Sequence, residues 1–335
     1  MRQACSLLSF LLIVALAHAQ EKTLPRGVEA RQYTGWEECV FLNASEVPAQ
    51  AIIVPSVGGR IVNFSYDNDN ILFENAASAG RTVADNKGPF WASGYQCDVG
   101  PELGHIPTHD QLWIGPNIWK ATRDYSVSLS SQTDTNLGVA IDKQIVLAPD
   151  TGELGIVQRL RNESASAKSY CLWDRSLCKG GGFAFFPLNK HSRFKSGWAV
   201  RSRVENNYVF DSESPSLPQV HILDGILVTE TFGEPSKIGA DSDAGWIAYV
   251  RGKLLFVKYF PYNRKGTYSD AGNSVEVYFD QRVAEIEPLS PETKLEPGQN
   301  FSFPEKWVLI PLKKEVTTVQ QARDLVRRIP PSPFK

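Results

Sequence analysis

From about residue 50 to the last thirty residues, short apolar or alternating runs are separated by clusters of turn-forming residues. Ala51–Pro55 and Arg60–Tyr66 flank Val57-Gly58-Gly59, and Asp67-Asn68-Asp69-Asn70 turns the chain into Ile71–Phe73. Gly138–Leu147, Gly155–Arg161, Ser169–Trp173, Gly245–Val250, Leu254–Phe260, Ser274–Phe279 and Val308–Leu312 repeat the pattern. Runs this short, rich in Val, Ile, Tyr and Phe, read as strands. Pro149-Asp150-Thr151-Gly152 and Asn162–Ser169 read as hairpin turns. Only Thr318–Arg328 has helical periodicity, with Val319, Ala322, Leu325, Val326 and Ile329 on one face. Thr317 or Thr318 caps it and Pro330-Pro331 stops it. The pattern predicts an all-β fold, a large antiparallel β-sandwich with one C-terminal helix over 318–328 packed outside. No repeat or linker divides the chain, so 20–335 reads as a single domain.

The first nineteen residues break the pattern. Arg2, the apolar run Leu7–Leu16 and Ala17-His18-Ala19 have the layout of a cleaved signal peptide. The run is too short for a stable membrane anchor, so a secreted or periplasmic protein is expected. Asn43-Ala44-Ser45, Asn63-Phe64-Ser65, Asn162-Glu163-Ser164 and Asn300-Phe301-Ser302 are glycosylation acceptor triplets. Without Cys5, an even set remains: Cys39, Cys97, Cys171 and Cys178. In an oxidising compartment these form either two disulfides, with three possible connectivities of which the short spacing favours Cys171–Cys178 and hence Cys39–Cys97, or four buried free thiols. With 35 basic and 37 acidic residues and no basic block, nothing points to nucleic acid or a polybasic membrane tether.

Candidate chemistry gathers at a few places. In a strand over Ala284–Glu287, Glu285 and Glu287 share a face while Ile286 turns to the core. That face is either a solvated edge or the lining of a polar site. Trp91, Tyr95, Trp113, Trp119 and Trp173 cluster in loop-like sequence between 90 and 175. They serve as platforms for a sugar's C–H faces or pack long loops onto the sandwich. Asp174-Arg175 is either a charged fork for hydroxyls or an ion pair at a strand end. Arg60 follows two glycines that let the backbone approach a ligand, and Lys258 lies among apolar residues and needs a partner or a polar cavity. His105 and His109 have i, i+4 spacing, but Gly104 and Pro107 argue against a helix there, so no metal is expected. No phosphate loop or Gly-x-Ser-x-Gly elbow is present, and no cofactor is expected.

Ile52–Ile61 followed by Asn70–Phe73 resembles the opening hairpin of the galactose-mutarotase-like superfamily. Glu285-Ile286-Glu287, with Leu295-Glu296-Pro297-Gly298 and Trp307 after it, resembles the closing strands of that superfamily. Gly94–Glu102, Leu172–Arg175, Phe186–Asn189 and Gly239–Asp243 look like a secreted branch of it, and the likeness covers about 50–315. The resemblance implies a supersandwich that binds a mono- or oligosaccharide on a concave sheet face. Aldose 1-epimerases carry a catalytic glutamate where this chain has Glu285, and a glutamine where it has Glu287. The histidine that protonates the ring oxygen there has no match in Tyr170–Arg175, and His109 is the loose counterpart of a second histidine segment. The resemblance therefore leaves two readings. One is an epimerase with Glu285 as base and His109 as acid. The other is a non-catalytic glycan-binding module. In both, Arg60, Trp113, Asp174, Arg175, Lys258 and Glu287 are the expected sugar-binding residues.

Overall fold

The computed structural model describes residues 23–85, 93–104, 106–205 and 207–334. The signal segment, Trp91 and His105 lie outside the described residues. Two antiparallel sheets of 13 and 9 strands stack face to face. The path through the larger sheet starts with Val28–Tyr33, Trp36–Asn43, Ala49–Val54, Arg60–Tyr66, Tyr95–Gly100 and Lys168–Lys179. It continues through Val283–Pro288, Val275–Phe279, Ser236–Ala240, Ala199–Val204 and Asn207–Asp211. The expected sandwich is the observed fold.

Alternation decides which side chains meet between the sheets. In Leu154–Asn162 the buried set is Leu154, Ile156, Gln158, Leu160 and Asn162, every second residue. Trp307 stands at the centre of the core, its ring 5.2 Å from both Tyr95 and Phe256 and 5.9 Å from Phe64. Burying an aromatic side chain of this kind stabilises by about 2–3 kcal/mol. At the C-terminus Thr318 accepts from Gln321 N and caps Val319–Asp324, which tightens into a 3₁₀ turn over Leu325–Arg328. Ala322 and Leu325 close a second apolar cluster on the outside of the smaller sheet.

Several local expectations need correcting. Gly245–Val250 and Leu254–Phe260 are one continuous strand, Trp246–Tyr259, despite Gly252. Ile71–Phe73 contributes only an isolated bridge, Leu72 to Cys178. Pro149–Gly152 does close a hairpin, but Asn162–Ser169 carries the chain from the smaller sheet to the larger. Asn162 is itself 1% exposed, with its amide bonded to Ser166 O and Leu295 O, so that triplet offers no accessible acceptor.

The disulfides are also corrected: Cys39, Cys97, Cys171 and Cys178 are free and buried. Cys171 and Cys178 lie on the single strand Lys168–Lys179, seven residues and therefore roughly 23 Å apart. Their odd separation puts them on opposite faces. Cys39 belongs to the apolar cluster of Trp36 and Phe41, whereas Cys97 is in the main core.

Candidate functional site

Register assembles a polar band on the outer face of the larger sheet. Trp173 pairs with Asp98 and Arg175 with Gln96, one strand to one side. On the other side Leu177 pairs with Glu285, Glu285 with Tyr278, and Glu287 with Glu276. Tyr278 and Glu276 then face Lys237 and Gly239. Because directly opposed residues share a face, Asp98, Trp173, Arg175, Glu285, Glu287, Glu276 and Lys237 all stand on this side. Their intervening neighbours Val99, Leu172, Ile286 and Val277 fill the core.

Residues 101–104 and 106–113 lie over this band. They end in a one-turn helix, Asp110–Trp113, capped by a non-helical His109, so that no helix runs through 106–109. Between them and the sheet lies a cleft of about 420 Å³, walled by Trp113 and Trp173 and lined by Asp98, Glu102, His109 and Arg175. That volume falls within the range of small-molecule sites, about 300–1,000 Å³.

The polar groups of the cleft are bonded to one another. Asp98 Oδ1 accepts from His109 Nε2 at 2.6 Å and from Val99 N at 2.8 Å, and Arg175 Nη1 reaches Oδ2 at 3.5 Å. Burial opposes charge on His109, but the hydrogen bond to Asp98 and its charge outweigh that and carry the imidazole up to about 9. Asp98 is held below its usual range, because the bonds from His109 and the charge of Arg175 exceed the burial that opposes them. The other ring nitrogen of His109 bonds Pro107 O at 2.9 Å. A protonated His109 thus has both N–H groups in use and acts as a clamp on Asp98. Arg175 gives Nε and Nη2 to one oxygen of Glu285, at 3.0 and 2.9 Å. Its guanidinium lies 4.8 Å from the Trp173 ring and 6.0 Å from Trp113.

Deeper in the band, one ammonium gathers three acids. Lys237 Nζ is 2.6 Å from Glu102, 2.7 Å from Glu276 and 2.9 Å from Glu287. Trp173 Nε1 donates to Glu287 at 2.7 Å. Burial raises the pKa of Glu276 and of Glu287, and although Lys237 opposes this, nearby carboxylates add to it. Asp270 secures the cleft segment by accepting from Glu102 N and Leu103 N at 3.0 and 2.8 Å.

The expected site residues divide accordingly. His109, Trp113 and Arg175 line the cleft; Glu285 lies behind Arg175 at 6% exposure, and Glu287 is fully buried beneath Trp173. Arg60 sits at the back, bonded to Ser93 O and Trp113 O, where it holds the helix end in place. Asp174 and Lys258 are elsewhere. Asp174, one residue out of phase with Trp173 and Arg175, points between the sheets, where Lys258 bonds it from the strand Trp246–Tyr259 of the smaller sheet. Lys258 also reaches Ser176 Oγ at 2.9 Å and lies 3.5 Å from Glu305. Burial, reinforced by the charge of Glu305, raises Asp174 well above an ordinary carboxyl group. The Trp-rich stretch is also less loop-like than expected: Tyr95, Trp119 and Trp173 are on strands.

Sequence reading missed Lys237 and Glu276 as partners of Glu287, and Asp98 as partner of His109. Glu276 did carry a signal, a lone acid alternating with Val275 and Val277. Lys237 carried none, since its strand is only five residues long.

No protein-family model and no curated protein matches the chain. Solved structures do. A putative aldose 1-epimerase from Escherichia coli K12 aligns with a TM-score of 0.59 at 11% identity, over 82% of this chain and 100% of that one. A galactose mutarotase-like protein from Lactobacillus casei aligns at 0.56 and 10%, over 81% and 100%. A putative aldose 1-epimerase from Klebsiella pneumoniae aligns at 0.53 and 12%, over 90% and 86%. The chain therefore has the galactose mutarotase-like fold.

Proposed function

We propose that this protein binds a neutral carbohydrate in the cleft under residues 101–104 and 106–113 and leaves its anomeric carbon unchanged. The observation that carries the reading is the cleft itself, two tryptophan walls over a band of mutually paired acids and bases. Tryptophan offers an apolar face to a sugar's C–H groups, and Asp98, Glu102 and Arg175 offer acceptors and donors to its hydroxyls. Arg175 is matched by Glu285 and Asp98, Lys237 by three carboxylates, and His109 by Asp98. A phosphate or uronate would have to displace one of those acids, so an uncharged sugar fits better.

Anomer interconversion requires one group to take the C1 hydroxyl proton and another to protonate the ring oxygen. His109 has no N–H to spare, and Glu287 is sealed beneath Trp173, which favours binding without turnover. The aldose 1-epimerase reading draws support from the fold and from Glu285, which stands behind Arg175.

Titration calorimetry with glucose, galactose, their 6-phosphates and their uronic acids tests the proposal, alongside polarimetric mutarotation. Expected are saturable binding of a neutral sugar, at least tenfold weaker binding of its charged counterparts, loss of binding in Trp113→Ala, and no acceleration of mutarotation. Acceleration that disappears in Glu285→Gln would establish the epimerase instead. A sugar that binds equally well to Trp113→Ala would remove the cleft from consideration. The secretion expectation rests on residues 1–19 alone, since the cysteines form no disulfide to support it.

A further inference from the structure

A second cavity, of about 460 Å³, plays no part in the chemistry described so far. Trp36 and Trp119 form its apolar lining, and Glu37, Glu38, Ser56 and Asn117 its polar lining. Among the described residues, no lysine or arginine lines it. Trp119 lies on the edge strand Asn117–Arg123 and is half-buried, so part of its indole is open to the cavity. Trp36 is held by its Nε1–H, which donates to Arg81 O at 2.7 Å. Glu37 and Glu38 are exposed, and Glu38 has a φ of +51°, a left-handed conformation that is uncommon for a non-glycine residue.

One wall segment, 113–117, contributes residues to both cavities. Trp113 lines the cleft, and Pro116 and Asn117, three and four residues on, line the second cavity. At most about 14 Å of backbone separates Trp113 from Asn117. The wall is braced from behind: Gly58 N bonds Gly115 O and Asn117 N bonds Pro55 O, both at 2.8 Å, while Arg60 holds Trp113 O.

Building on the carbohydrate reading of the cleft, we infer that the second cavity is a further saccharide subsite. The natural ligand is then an uncharged oligosaccharide, with one unit in the cleft and its continuation over residues 113–117 against Trp119. The chemistry of the lining sets the ligand class. Aromatic faces take apolar sugar faces, and carboxylate and amide acceptors take hydroxyl protons. The carboxylates of Glu37 and Glu38 repel an anion. Joining two modest subsites through one ligand raises affinity without new contacts at either, because the second binding event becomes intramolecular.

The test is calorimetry with glucose and galactose against malto-, cello- and β-1,4-galacto-oligosaccharides of two to five units, on wild type, Trp119→Ala, Glu37→Gln/Glu38→Gln and Trp113→Ala. The glutamate pair is exposed, so its double variant serves even where a tryptophan variant folds poorly. In at least one series, affinity should rise about tenfold or more from the monosaccharide to the longer chains. Trp119→Ala should erase that rise while leaving monosaccharide affinity within twofold, and the glutamate variant should reduce it. Affinity independent of chain length, or a Trp119→Ala loss equal for monosaccharide and oligosaccharide, overturns the inference while the cleft proposal stands. Length-dependent binding that needs Trp119 but survives Trp113→Ala supports this cavity as a saccharide site and removes the cleft. If no saccharide of any length binds, both readings fail.

Discussion

At the scale of single residues, charge is handled in two different ways. On the outer face His109 is a cation kept by its partner: Asp98 lies 2.6 Å away, and the imidazole rises to about 9 from an unfolded value near 6.5. A folded pKa above the unfolded one means that the stabilisation is complete below about pH 6.5. It is lost as pH climbs through about 9. Thermal melts of wild type and His109→Gln should therefore differ most at pH 6 and converge by pH 10, with a gap of about 1–2 kcal/mol at the low end after allowing for solvent screening. An imidazole that titrates near 6.5 by NMR would refute the clamp. Between the sheets the balance is reached by protonation. Two acids, Asp174 and Glu305, face the single ammonium of Lys258, and Asp174 is the one pushed toward its neutral form. Lys258→Met should accordingly cost about 3–5 kcal/mol, since it strands buried acids without their cation. Asp174→Asn keeps shape and neutrality and should cost much less. Equal losses in urea unfolding would show that Asp174 is ionised.

At the scale of elements, the turn between Ala49–Val54 and Arg60–Tyr66 supports the cleft from behind. Gly58 has a φ of +62°, and a Cβ there would come within 2.2 Å of Trp113 O. Gly58→Ala therefore strains the turn and pushes the backbone of the cleft wall at once. We expect it to lose about 2 kcal/mol or more in stability and to bind sugar more weakly, although it touches no ligand. Unchanged sugar affinity in that variant would mean that the wall moves independently of the turn. The glycines were legible in the sequence, and so was Arg60 beside them. What they brace was not, because Trp113 is 53 residues further on than Arg60 and meets it only through the fold. The same limit explains Asp174 and Lys258. A charged residue in an apolar run announces that it needs a partner, but one residue of strand phase decides which face the partner occupies. Glu285 and Glu287 could be put on one face because their spacing is even. The cation between Glu287 and Glu276 could not be named, since Lys237 enters from a strand two places along the sheet.

At the scale of the whole molecule, period-two alternation was enough to predict two stacked antiparallel sheets, because one buried face per sheet leaves a strong sequence imprint. Sheet order is written in long-range pairing, and so Asn162–Ser169 looked like a hairpin although it joins two sheets. The cysteines are the clearest example of what spacing hides. Cys171 and Cys178 are close in sequence, yet an extended strand separates them and turns them to opposite faces. Cys39 and Cys97 lie in different apolar clusters. Burial then sets their chemistry: it raises the thiol of Cys39 to about 11 and that of Cys171 to about 12, and pushes Cys97 well above its usual value. Reaction with a disulfide reagent requires access and the thiolate, and here both are withheld. The native chain lacking residues 1–19 should thus show no rapid reaction with Ellman's reagent and a melting temperature indifferent to reductant. In guanidinium, without any reductant, all four thiols should react. A count of two or none in denaturant would mean that bridges form in the protein as it is made. The fold would then have to bring together cysteines that its strand register holds apart.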